Sequence, residues 1–237
     1  MSFVKKAISF HEKLEYTGSP LPAGIRIMNP FKENPEALRV TRLFLRKYYS
    51  DKRQRRLILG INPGRLGAGL TGVPFTDPKR MIAECGIDYR GEMAHEPSSV
   101  FVYDMIRAFG GPEKFYGEYY INSPCPLGFT SVNKLGREVN YNYYDSPQLM
   151  AAVKPFIVES ISKLVELGVY TDRVFCLGTG RNAHFLRRLN EEYRFFGELI
   201  ALEHPRYIMQ YKSKEKEDYV RKYMEVLRDV DGQQGVF

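Results

Sequence analysis

The chain has 237 residues, 43% of them hydrophobic and 27% charged, with 35 Lys and Arg against 28 Asp and Glu for a net charge of +7. This composition excludes collagen, coiled coil and wholesale disorder, and the length suffices to bury a core without staples. Cys85, Cys125 and Cys176 are odd in number and widely spaced, so they form neither a disulfide framework nor a four-cysteine zinc or iron–sulfur site.

The apolar runs fall far short of the ~20 residues that span a bilayer, and the N-terminus has no long apolar stretch of the signal-peptide kind. We expect an intracellular chain with no metal, no iron–sulfur cluster, no cofactor and no membrane partner. The positive charge suits a polyanionic partner, and equally a solvated basic surface.

Residues 2–15 and 34–50 read as helices, with His11 of the first expected at the surface. The run Arg56-Leu-Ile-Leu-Gly-Ile61 is bounded by charge on one side and Asn-Pro-Gly on the other. It reads as a buried strand with a turn at its C-terminal end. Helical patterns follow over 98–109, 147–167, 181–195 and 213–229. Further strands are expected at 119–121, before Asn-Ser-Pro-Cys-Pro, at 174–177, before Gly-Thr-Gly, and at 199–202, before Glu-His-Pro.

Strands alternating with helices imply an α/β fold: one domain over 1–237 whose central four-stranded parallel sheet carries helices on both faces. Its N-terminal helices lie within 1–50, its core over about 57–212 and its C-terminal helix over about 213–229. Ligands of such sheets bind beyond the carboxyl ends of the strands. All four strands end there in unusual residues, so four loops converge on one edge.

The segment Gly60-Ile-Asn-Pro-Gly-Arg-Leu-Gly-Ala-Gly-Leu-Thr-Gly-Val-Pro-Phe75 contains five glycines and two prolines in sixteen residues. It lacks the Gly-Lys-Ser/Thr ending of a phosphate loop, and no helix is expected directly after its glycines, so it is not a dinucleotide fingerprint. Glycines let the backbone approach a ligand closely. The Asn62 amide can orient a water or a base edge, and Phe75 offers an aromatic plane.

Gly60-Ile-Asn-Pro-Gly64 together with Thr71-Gly-Val-Pro-Phe75 resembles the first motif of the uracil-DNA glycosylase superfamily. The spacing from Asn62 to Phe75 is similar to that family's spacing from catalytic Asn to stacking Phe. The stretch from Pro112-Glu-Lys-Phe115 through Ser123-Pro-Cys-Pro-Leu127 also resembles the family, as do Leu177-Gly-Thr-Gly-Arg181 and His204-Pro205. The likeness spans about residues 57–212. It is strongest to the single-strand-selective monofunctional enzymes and their bacterial second branch, which is described for uracil and for deaminated bases such as xanthine.

The resemblance implies a monofunctional DNA glycosylase of base excision repair, monomeric, in the bacterial cytoplasm, acting on DNA that contains uracil or another deaminated base. It implies that Asn62 positions the attacking water and His204 hydrogen-bonds O2 of the leaving base. Phe75 would stack on the flipped base, Ile61 would lie against it, and Gly64 would leave space beside C5. Gly178, Thr179, Gly180 and Arg181 would hold a backbone phosphate at a helix N-terminus, with Arg65 and Lys212 also meeting DNA.

Two departures from the family pattern matter. Ser123 stands where the family has an Asn that reads the base edge, with Asn122 next door. After His204 the text is Pro-Arg-Tyr-Ile-Met-Gln-Tyr-Lys, so the wedge that fills the hole left by the flipped base falls to Arg206, Tyr207 or Met209. Tyr141-Asn-Tyr-Tyr144 can stack on bases or cover the core. His95 and His184 are not expected to act, since a metal role needs partners the sequence does not supply. The alternative function is a catalytically inactive DNA- or base-binding module on the same fold. A dinucleotide-binding enzyme is disfavoured because Gly178-Thr-Gly180 lacks the third glycine.

Overall fold

Each apolar run of the sequence becomes a strand, and the central ones are covered on both faces. The computed structural model describes residues 1–228. In chain order the strands are β1 (Ile25–Met28), β2 (Arg56–Leu59), β3 (Tyr119–Asn122), β4 (Gly128–Val132), β5 (Glu138–Tyr141), β6 (Tyr170–Leu177) and β7 (Glu198–Leu202). β2, β3, β6 and β7 form a parallel sheet in the order β3-β2-β6-β7. Successive strand residues face opposite sides of a sheet. All residues of β2 and β3 are buried, so helices cover both sides and a continuous apolar run is what these strands require.

The chain leaves β2 for β3 on one side and returns past it to β6 on the other. The carboxyl ends of β2 and β6 therefore flank the topological switch point, where open α/β sheets bind ligands. The expected α/β single-domain architecture with a four-stranded parallel sheet is the one observed.

The major helices run Phe3–Glu12, Pro35–Tyr48, Pro97–Phe109, Pro147–Glu166, Arg181–Tyr193 and Lys216–Arg228. Their starts are legible locally. Asn34 and Ser146 cap helices that open with Pro, their side chains accepting first-turn N–H groups, and Pro at that position wastes no donor. The C-terminal helix is preceded by a 3-10 turn, Ser213–Glu215, and residue 229 of the expected span lies outside the described residues.

Several features depart from the sequence reading. β1, β4 and β5 form a separate antiparallel sheet in the order β1-β4-β5; β1 and β5 are short and partly exposed, so they carry no strong apolar signal. A single helical turn, Ala68–Thr71, sits within the glycine-rich segment, and another short helix, Pro205–Tyr211, follows His204. His11, expected at the surface, is instead buried. Its Nδ1 bonds the Ala7 carbonyl over 2.7 Å, its ring packs on Phe10 and Phe31, and burial lowers its pKa to about 4.

Candidate active site

A cavity of about 490 Å3 opens where the β2 loop, the end of β3, β5 and the His204 helix meet. Ile61, Asn62, Gly64, Phe75, Ser123 and His204 all line it, and Arg206 and Tyr207 stand at its edge. Residues from Ile61 to Tyr207 are thus brought to one hollow at the sheet's carboxyl end.

Asn62 follows β2, and its amide is locked from the far side of the cavity. Nδ2 donates to the Tyr141 carbonyl over 3.2 Å, and the Tyr143 N–H donates to Oδ1 over 3.1 Å. One N–H and one lone pair remain, enough to hold a water. The clamp is itself fixed: the buried Tyr143 hydroxyl donates to Asn182 Oδ1 over 2.6 Å. Asn182 Nδ2 in turn reaches the carbonyls of Gly60, 2.9 Å, and Leu177, 3.0 Å. One buried amide ties the ends of β2 and β6 together.

Phe75 has φ of 53°, left-handed and uncommon for a side-chain-bearing residue. Such a residue costs about 1–3 kcal/mol and persists only when its surroundings fix it. Here the buried Thr71 hydroxyl donates to the Thr76 carbonyl over 2.6 Å and accepts the Val73 N–H over 3.2 Å. The ring lies against Gly60, where a Cβ would come within 3.3 Å of it, and is 5.6 Å centroid to centroid from His204.

His204 caps the helix Pro205–Tyr211. Its Nδ1 accepts the Arg206 N–H over 3.1 Å, which places the ring proton on Nε2. Burial, and then the Arg206 charge, lower its pKa to about 4. The imidazole is neutral near pH 7 and keeps one donor for the cavity.

Ser123 and Asn122 part company. Ser123 lines the cavity, its hydroxyl 3.6 Å from where a Gly60 Cβ would lie. Asn122 does not line it: its Nδ2 donates to the Tyr120 hydroxyl over 2.9 Å and its Oδ1 accepts the Ser123 N–H over 2.7 Å. Asn122 is the last residue of β3 and Ser123 the first beyond it, and in extended chain successive side chains point to opposite sides.

A second hollow of about 520 Å3 shares Ile61, Tyr144, His204 and Tyr207 with the first and is lined by Gly178, Thr179, Gly180 and Arg181. Gly178 has φ of +113°, open to glycine. Gly180 caps the thirteen-residue helix Arg181–Tyr193 without any side-chain cap, so its first-turn N–H groups stay available to an anion. Glu203 shares this hollow, its Oε1 held by Lys222 Nζ over 2.7 Å.

Three expected contact residues lie elsewhere. Lys212 lines neither hollow, and its Nζ pairs with Glu215 over 2.9 Å. Met209 packs against the core. Arg65 lies beyond the cavity lining, with its N–H bonded to Asn140 Oδ1 over 2.9 Å. The sequence reading missed Asn140, Asn182 and Glu96, and left Tyr141-Asn-Tyr-Tyr144 undecided. That run does both jobs: Tyr143 is buried, its backbone clamps Asn62, and Tyr144 lines both hollows. Among the described residues, no group of three His, Cys, Asp or Glu could hold a metal ion, and no helix is long and apolar enough to cross a membrane.

The family model described as the uracil DNA glycosylase superfamily matches residues 46–228. The crystal structure of wild-type Pedobacter heparinus SMUG2 is similar, with 56% sequence identity and a TM-score of 0.96 over 98% of this chain and 99% of that one. No curated protein matches.

Proposed function

We propose that this chain, which belongs to the uracil DNA glycosylase superfamily, is a monofunctional DNA glycosylase that flips out uracil or a related deaminated base, such as xanthine, and hydrolyses its N-glycosidic bond in base excision repair. Its partner is DNA carrying that base, and it works as a monomer in the bacterial cytoplasm. The observation that carries this reading is the neutral His204, whose Nδ1 is occupied by the Arg206 N–H, in one cavity with Asn62 and Phe75.

A base inside a duplex is out of reach of such a cavity, so it must be extruded, at a cost of a few kcal/mol. Stacking on Phe75 returns about 1–3 kcal/mol. The bond from C1′ to the base nitrogen then breaks and its electron pair stays with the base, so negative charge gathers on O2 while the sugar turns positive. Nε2–H of His204 is the donor for O2, and the locked Asn62 amide holds the water that attacks C1′. Preorganised donors aimed at developing charge are usually the largest catalytic term. The water supplies the hydroxyl, so no lysine Schiff base is involved. Ser123, with a hydroxyl that donates or accepts, reads the base edge where the family has an amide. Gly178 to Arg181 hold a flanking phosphate.

The test is incubation with an oligonucleotide containing a single uracil, followed by alkali. Strand cleavage at that site is expected. Tight binding without cleavage would leave the inactive DNA-binding module instead.

A further inference from the structure

One carboxyl in the cavity has no part in the uracil reaction. Glu96 precedes the helix Pro97–Phe109 yet does not cap it with its side chain. Its backbone N–H donates to the buried Asp77 over 2.9 Å, and its side chain lines the cavity. There Oε2 is buried and has no hydrogen-bond partner. Such an orphan is costly unless a ligand completes it. The loop folds tightly over the carboxyl: a Cβ on Gly67 would collide with it.

Oε1 lies 3.5 Å from where a Gly64 Cβ would stand, and Asn140 Nδ2 lies 3.4 Å from the same point. Asn140 Oδ1 accepts the Arg65 N–H, so its NH2 faces the space above Gly64. In the reading of the site given above, that space adjoins the C5 edge of a pyrimidine. When a purine is overlaid with its glycosidic nitrogen at the same point, the C5–C6 edge becomes the N7–C8 edge. A pyrimidine presents a C–H there, which accepts nothing. A purine presents N7, an acceptor whose protonation makes the base a better leaving group.

We propose that Glu96 is the general acid for purine substrates, delivering its carboxyl proton to N7 of a flipped deaminated purine above Gly64. This rests on the glycosylase reading of the same site. The proton passes from the Glu96 oxygen to N7, the C1′–N9 bond breaks, and its electron pair stays on the base. The water held at Asn62 adds its oxygen to C1′ and releases a proton, and the carboxylate takes up one proton from solvent.

The carboxyl is suited to this role near neutrality. Burial first, and then the like charge of Asp77, raise its pKa to about 7, while Arg206 opposes the rise. Asp77 is shared with Arg80, at 3.2 Å, and with His95, at 3.5 Å. His204, Asp145 and Tyr144 line the same cavity. A general acid works best with its pKa near the working pH.

Single-turnover base release is measured on oligonucleotides carrying deoxyuridine, deoxyxanthosine or 7-deaza-2′-deoxyxanthosine, with the wild type and Glu96→Gln. The variant keeps size and a donor but no transferable proton. Xanthine release is expected to fall about 100-fold in Glu96→Gln, with uracil release changed less than about threefold, a control for folding. The wild-type xanthine rate should decline as pH rises above about 7, approaching tenfold per unit, while uracil release does not. The 7-deaza base should leave slowly, and Glu96→Gln should slow it little further. Equal losses on uracil and xanthine, an unaffected xanthine rate, or release of uracil with no release of xanthine by the wild type would each overturn the role of Glu96 and leave the glycosylase reading intact. Release of neither base would overturn both.

Discussion

The backbone N–H of Tyr143 donates to Oδ1 of Asn62 across 3.1 Å and 81 residues of sequence. The Tyr143 hydroxyl continues the chain of contacts to Asn182, which holds the carboxyl ends of both central strands. Orientation of the Asn62 amide is therefore set by a buried network and not by its own loop. Asn62→Ala should slow single-turnover uracil release about 100- to 1000-fold, as loss of a preorganised group does. Asn182→Ala should act on both stability and rate, costing about 1–3 kcal/mol through the carbonyls left unpaired, as read by urea denaturation. An Asn182→Ala protein of unchanged stability would show that these hydrogen bonds contribute nothing to the fold.

The second expectation concerns His204. With its pKa near 4, the neutral donor should persist throughout the neutral range. Uracil release should show no inflection at about 6.5, the ordinary histidine value, and His204→Ala should cost about 100- to 1000-fold. An inflection near 6.5 that vanishes in the variant would mean that imidazolium is the active form. The folded pKa values of His204 and His11 are both lowered. Their contribution to stability is therefore present above about 6.5 and lost as pH falls through 4. The folded pKa of Glu96 is raised, so its contribution is present below its unfolded value and lost as pH rises through about 7. Glu96→Gln should raise the melting temperature at pH 8 and leave it unchanged at pH 4.

Space above Gly64 should decide base size. A Cβ there would meet Asn140 at 3.4 Å and Glu96 at 3.5 Å, ordinary contact distances, so Gly64→Ala should fold normally. Because the methyl takes space that a second ring needs, xanthine release should drop about tenfold more than uracil release, a differential worth about 1.4 kcal/mol. Equal effects on the two bases would place the purine elsewhere.

DNA affinity should be salt-dependent, but not equally so for each basic residue. Arg181 lines the hollow at the helix N-terminus, whereas Lys212 is paired with Glu215. Arg181→Ala should weaken binding uniformly across lesions and reduce the slope of log K against log salt by about 1. Lys212→Ala should do so by much less. Titrations by fluorescence anisotropy at several salt concentrations separate the two.

The wedge is the fifth case. Tyr207 is 43% and Tyr211 66% exposed, with ring centroids 5.6 Å apart at the cavity mouth. Met209 points to the core. Tyr207→Ala should therefore slow release from duplex DNA severalfold more than from single strands, where no base-stack hole has to be filled. Met209→Ala should lower thermal stability instead.

The parallel sheet was legible in the sequence because β2 over 57–59 and β6 over 174–177 are buried on both faces and so read as unbroken apolar runs. The principal residues of the candidate site were legible for a related reason: Asn62, Gly178 and His204 stand where such runs stop, and a loop at the carboxyl edge of a parallel sheet has one place to go. The antiparallel sheet was not legible, since β1 and β5 are half exposed and mix polar with apolar residues. Nor was the choice between Asn122 and Ser123, which depends on the phase of strand alternation at the last residue of β3. Glu96 and Asn182 are ordinary polar residues in sequence. Only the tertiary structure buries one carboxyl without a partner and threads one amide between two strand ends, because desolvation and long-range hydrogen bonding exist only once the distant segments have met.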